Sequence, residues 1–84
     1  MVEIYRTARR HGITDEDTLH AIDRAIVIVE QDEERTLYLG PARAGNLLEV
    51  VTLERVGSEP LAIHSSRMTE QYRHLLQGLE ADDE

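Results

Sequence analysis

Cysteine, lysine, tryptophan and phenylalanine are all missing from this 84-residue chain, and proline occurs only twice. Without cysteine there is neither a disulfide staple nor a thiolate zinc site, and the composition suits a reducing, cytoplasmic location. No apolar run is long enough to span a bilayer, so no membrane partner is expected. Val2, Ile4 and Tyr5 lead Arg6, Arg9 and Arg10, whereas a signal peptide puts its basic residues before its apolar ones. The histidines are scattered, without His-Glu-x-x-His spacing, and Glu30–Glu34 lacks the glycine and ligand spacing of a calcium loop. Gly40–Gly45 lacks the Gly-Lys-Ser/Thr ending of a phosphate-binding loop. Neither a metal nor a cofactor is expected.

What is present is charge, unevenly spread. The net charge of −8 opposes nucleic-acid binding in bulk, because phosphate neutralisation by cations supplies most of that affinity. Residues 1–12 nevertheless sum to +2, residues 13–34 to −7, residues 35–79 to +1 and residues 80–84 to −4, so the acid lies mainly in two blocks. All nine cations are arginine, the residue suited to bidentate contact with phosphate or carboxylate. At this length the chain is one domain with a small core, and a homodimer or hetero-oligomer is expected to assist it.

The pattern along the chain predicts an α+β fold: two N-terminal helices, a small three- to four-stranded, mainly antiparallel sheet and a C-terminal helix. Val2–His11 reads as the first helix, with Gly12 as its stop. Thr14 is a good N-cap for the second, with Asp15, Glu16 and Asp17 in its first turn. Its stripe through Leu19, Ile22, Ala25, Ile26 and Val29 carries the helix to about Val27, although the β-branched run 26–29 also suits a strand. Strands are expected over Thr36–Gly40, Leu47–Val56 and Leu61–Ser65. The middle one is apolar on both faces and therefore central. Regular alternation in the last puts Leu61 and Ile63 on one face, with Ala62 and His64 on the other. A helix over Arg67–Leu79 carries Met68, Tyr72, Leu75, Leu76 and Leu79 on one stripe. Residues 1–79 form the domain, and the acidic tail 80–84 need not be ordered.

Several segments resemble the BrnT-type toxins of bacterial toxin–antitoxin pairs, relatives of the RelE/ParE-like group. They are Arg10-His11-Gly12-Ile13-Thr14, Leu39-Gly40, Asn46-Leu47-Leu48-Glu49-Val50-Val51 and Ala62-Ile63-His64-Ser65-Ser66-Arg67. The chain departs from the family in its acidity and in lacking, as read here, the usual N-terminal strand with an aromatic residue. The resemblance implies a RelE-like fold and a metal-independent ribonuclease that cleaves RNA, free or on the ribosome, and inhibits translation. It also implies a cognate antitoxin as partner.

RNA strand cleavage needs a base for the 2′-hydroxyl, an acid for the leaving oxygen and cations for the growing phosphate charge. His64 is the first candidate for acid or base, with Arg67 and Tyr72 beside it as catalytic residues. Arg43, Arg73 and His11 are the expected substrate-binding residues. Each has a plainer role open to it: a surface histidine, a solvated or ion-paired arginine, a core tyrosine, a helix-end histidine. With three tyrosines as its only aromatics, the chain offers little for nucleobases to stack on. A non-catalytic module that binds a basic protein through the acidic helix around Asp15–Asp23 is the alternative.

Overall fold

The strand Leu47–Leu53 buries residues on both faces, and the sheet is built outward from it. In the computed structural model, which describes residues 1–80 and side chains through Leu76, five strands form one mixed sheet in the order β1-β5-β4-β3-β2. They are β1 (Glu3–Ile4), β2 (Val27–Glu30), β3 (Arg35–Pro41), β4 (Leu47–Leu53) and β5 (Leu61–Arg67). The pairs β2–β3, β3–β4 and β4–β5 are antiparallel, while β1 runs parallel to β5. The β2–β3 turn is held by Asp32, whose Oδ1 accepts the amides of Glu34 and Arg35 at 2.8 Å each. Gly45, at φ 104°, supplies the left-handed residue that closes the β3–β4 hairpin.

One nine-residue helix, α1 (Asp15–Asp23), covers one face of this sheet. Thr14 caps it as expected, its Oγ1 accepting the Asp17 amide at 3.1 Å. Ala8, Ala21, Ala42, Leu48, Val50 and Ala62 form the buried cluster beneath it, with Val2, Ile4, Ile13, Ile22 and Tyr38 packed around them. Small residues let helix and sheet approach closely. A Cβ at Gly40 would lie 2.1 Å from the Ala21 carbonyl oxygen, so that position admits only glycine. Thr18 and Ser65, both buried, share a 2.7 Å hydrogen bond that stitches α1 to β5. Full burial of a side chain such as Leu48 or Val50 contributes roughly 1.5–3 kcal/mol.

The α+β class holds, but the expected arrangement of two N-terminal helices, three or four mainly antiparallel strands and one C-terminal helix does not. Val2–His11 is not an α-helix. Glu3 and Ile4 pair with Leu61 and Ala62, and a 3-10 turn follows over Arg6–Arg9. The chain therefore does begin with a short strand followed by an aromatic residue, Tyr5. The second helix ends at Asp23 rather than near Val27, because the β-branched run that follows finds β3 as a partner. β5 continues to Arg67. A 3-10 turn over Glu70–Tyr72 then precedes the last helix, α2 (Arg73–Glu80). Met68, Tyr72, Leu75 and Leu76 of the expected stripe are half-buried. The Leu79 side chain and residues 81–84 of the expected tail lie outside what is described, while Glu80 closes α2. Among the described residues, no helix is long and apolar enough to cross a membrane.

β5 also departs from simple alternation. Val51 pairs with His64 but Thr52 pairs with Ala62, which leaves Ile63 as an extra, bulged residue. Ala62 and His64 therefore lie on opposite faces, contrary to the expected pattern. The carbonyl of Ile63 is taken by the Thr7 hydroxyl at 2.6 Å, so the turn after β1 secures the bulge.

Candidate functional site

The bulge turns His64 and Ser66 onto the face that α1 does not cover, where Glu49 of β4 is their cross-strand neighbour. Glu49 is 4% exposed. A buried carboxylate is tolerable only when its oxygens are hydrogen-bonded. Oε1 accepts the Thr69 amide and the Thr69 hydroxyl, both at 2.8 Å, and Oε2 lies 3.0 Å from His64 Nε2. Thr69 occupies the N-cap position of the 3-10 turn, yet its side chain is directed to Glu49 instead of to that turn. The chain leaving β5 is thus tied back across the sheet by this carboxylate.

The hydrogen-bond network assigns the His64 tautomer. The Glu49 carboxylate only accepts, so its 3.0 Å contact requires a hydrogen on His64 Nε2, and the Ser66 hydroxyl, within donating reach of the Arg67 carbonyl at 3.1 Å, accepts from the same nitrogen across 3.2 Å. Nε2 therefore carries a hydrogen, shared between Glu49 and Ser66. Nδ1 has no hydrogen-bond partner among the described residues, and in the neutral ring it holds a lone pair. Serine and carboxylate on the same nitrogen do not make a nucleophilic triad, in which the imidazole must bridge the two.

His11 reaches the same place from the loop before α1. Its ring lies edge-on to that of His64, at 5.4 Å between centroids and 71° between planes. His11, Ile13, Glu49, His64, Ser66 and Arg67 border an open cleft of about 540 Å³, to which Thr69 and Gln71 also contribute. Arg67 is exposed at the end of β5 and makes no ion pair among the described residues.

The fold gathers three of the six sequence candidates, His11, His64 and Arg67, and leaves three elsewhere. Arg43 is bound to Asp17 through both its Nε, at 2.8 Å, and its amide. Tyr72 accepts a long 3.4 Å bond from Gln31 at the end of β2. Arg73 is paired with Glu70 at 3.0 Å. None of these three lines the cleft. Glu49, Ser66 and Thr69 were missed. For Glu49 a signal existed, since it is the lone charge within the run Leu47-Leu48-Glu49-Val50-Val51, where only a paired group belongs. Among the described residues, no three histidine, aspartate or glutamate side chains converge as metal ligands.

The arrangement can accept a proton at His64 Nδ1, donate one from a protonated His11, and hold an anion at Arg67. No protein-family model, curated protein or solved structure matches the chain.

Proposed function

We propose that this cleft binds an RNA phosphodiester and that the protein is a metal-independent endoribonuclease, the toxin of a BrnT-like toxin–antitoxin pair. The observation that supports the reading is the placing of two imidazoles side by side with an arginine that makes no ion pair among the described residues, one imidazole backed by a buried carboxylate. In this mechanism His64 Nδ1 removes the 2′-hydroxyl proton and O2′ attacks phosphorus. The P–O5′ bond breaks, and His11 as imidazolium protonates the departing oxygen. The products are a 2′,3′-cyclic phosphate and a 5′-hydroxyl. Glu49 offsets the charge that His64 gains, and Arg67 balances the charge growing on the phosphate. Each acid–base group should contribute a factor of about 10²–10⁴ in rate.

A cytoplasmic location and silencing by a cognate antitoxin belong to the same proposal. The alternative, an acidic helix that docks a basic protein, is less well supported. Asp15 is already bound to Arg9, and Asp17 to Arg43, each at 2.8 Å.

The test is tightly induced expression in bacteria, with RNA 5′-end mapping, of the wild type and of His64→Ala, His11→Ala and Arg67→Ala, folding being checked by circular dichroism. Growth arrest with new 5′-hydroxyl ends, lost in the folded variants, is the expected result. A folded wild type that yields no new ends would overturn the proposal.

A further inference from the structure

β2 ends the sheet on the side away from the cleft, and its outer edge carries no strand among the described residues. The Gln31 amide bonds to the Arg35 carbonyl at 2.9 Å, which fixes the phase of the β2–β3 ladder. By that phase Val27 and Val29 direct their amides and carbonyls to β3, and those of Ile28 and Glu30 point outward. Natural sheets guard such an edge with lysine, proline or a bulge. This strand has none of these, and it is flanked by exposed Ile26 (52%) and carries exposed Ile28 (59%).

Beside this edge Ile28, Thr36 and Tyr38 line a groove of about 400 Å³ together with Glu30, Asp32, Glu33 and Glu54. Asp32 is occupied in the β2–β3 turn. The carboxylates of Glu30, Glu33 and Glu54 have no hydrogen-bond or ion-pair partner among the described residues, unlike Asp15 and Asp17 on α1. The exposed Ile28, the open backbone and the uncompensated acid all belong to one edge.

We propose that the β2 edge receives an extended, arginine- or lysine-bearing segment of a partner protein as a sixth strand. Charge complementarity selects this occupant. A second copy of the chain would bring the same acidic rim to a shared edge, where like charges directly opposite oppose pairing. Ile28 and Glu30 lie on the same face, two residues apart, together with Tyr38 and Thr36 of β3. The incoming strand therefore needs an aliphatic residue against Ile28 and a cation two positions away against Glu30. This edge lies across β3 and β4 from the cleft, so the inference stands apart from the ribonuclease proposal.

The probe is a synthetic peptide of the repeat Val-Thr-Arg-Thr, which sets valine and arginine two positions apart on one face, titrated into the full chain and followed by amide NMR and hydrogen exchange. Two controls accompany it: a valine–glutamate peptide, and the arginine peptide N-methylated at every second backbone nitrogen on the edge that would pair. Expected are saturable binding that weakens with salt, new protection of the Ile28 and Glu30 amides, at least tenfold loss on N-methylation, and a similar loss in a Glu30→Lys, Glu54→Lys double variant of the chain. No binding at low salt, binding without protection at Ile28 and Glu30, equal binding of the glutamate peptide, or protection of those amides by self-association of the free chain would each overturn the proposal.

Discussion

The two faces of the sheet solve different problems with the same strands. On the α1 face, Leu48, Val50 and Ala62 meet Ala21 and Ala8, Gly40 lies against the Ala21 carbonyl, and among the described residues a single hydroxyl pair, Thr18–Ser65, is the polar link between helix and β5. On the other face Leu37 and Leu39 are equally buried, but their neighbour across the ladder is a carboxylate, Glu49, opposite Leu39. The first face is specified by volume, and changes there should act through fit. The second is specified by hydrogen bonds, and changes there should act through unsatisfied groups and through chemistry. The difference teaches that this domain puts its steric precision under the helix and its reactive groups on the side the helix leaves open.

The sharpest way to break the comparison is at Gly40. Gly40→Ala places a methyl against the Ala21 carbonyl, backbone that cannot move without lifting α1. The expected cost is more than about 3 kcal/mol, read as loss of a cooperative thermal transition. A Gly40→Ala protein with near-native stability would mean that α1 is not seated as described.

Next comes Glu49→Gln, which preserves volume and removes charge. The Gln carbonyl can still accept from Thr69, but its NH2 then faces the His64 Nε2 hydrogen, donor against donor. The imidazole must flip its tautomer, which transfers the proton to Nδ1. Loss of a charged hydrogen-bond set should cost about 1.5–3 kcal/mol, and under the proposed function RNA cleavage should fall far more than the fraction folded. Equal losses of stability and cleavage would make Glu49 a structural residue only. Imidazole 15N shifts of His64 report the tautomer independently.

Thr52→Val runs the comparison in the opposite direction. Thr52 is 1% exposed and lies beside the bulge on the α1 face, and its hydroxyl has no partner among the described residues. A methyl of nearly the same shape, on a residue that favours strands, should stabilise the domain by about 1 kcal/mol and leave cleavage unchanged. Chemical denaturation measures it, and a destabilised Thr52→Val would show that the hydroxyl is satisfied.

How much of this was legible in the sequence follows from the range of each interaction. The Thr14 cap and the central position of Leu47–Leu53 are written locally, in three or four adjacent residues, and both are found. The β1 strand is two residues long and exists only because Leu61 and Ala62, far along the chain, receive it. The run Ile26–Val29 is consistent with both a helical stripe and a strand, and pairing with β3 decides it. The bulge has no local signature: Leu61-Ala62-Ile63-His64 looks like clean alternation, and Ile63 is displaced by what Thr7 and β4 do to it. His64 faces the open side, as expected, but the bulge and not simple alternation puts it there. Three cleft residues were recognisable by residue type alone. Their joint position, and the part played by Glu49, needed the register.

The smallest effect expected concerns the charged rim of α1, where both faces of the comparison are absent and solvent screens what remains. A hydrogen bond from the Arg43 side chain, followed by one from its amide, holds the Asp17 carboxyl below the usual carboxylate range. A hydrogen bond from Arg9 does the same for Asp15. A carboxyl more acidic in the folded chain than in the unfolded one contributes stability that is fully present above the unfolded value, about 3.9. That contribution is lost as the pH falls through the lower folded value. A double-mutant cycle of Asp17→Asn and Arg43→Gln should therefore show coupling at pH 7, weakening as the pH falls below 4 and as salt is added. Absence of coupling at pH 7 would locate the interaction in the backbone contact from the Arg43 amide to Asp17, which Arg43→Gln leaves in place, and not in the charged side-chain pair. The helix N-terminus would then be held, like the core beneath it, by fit.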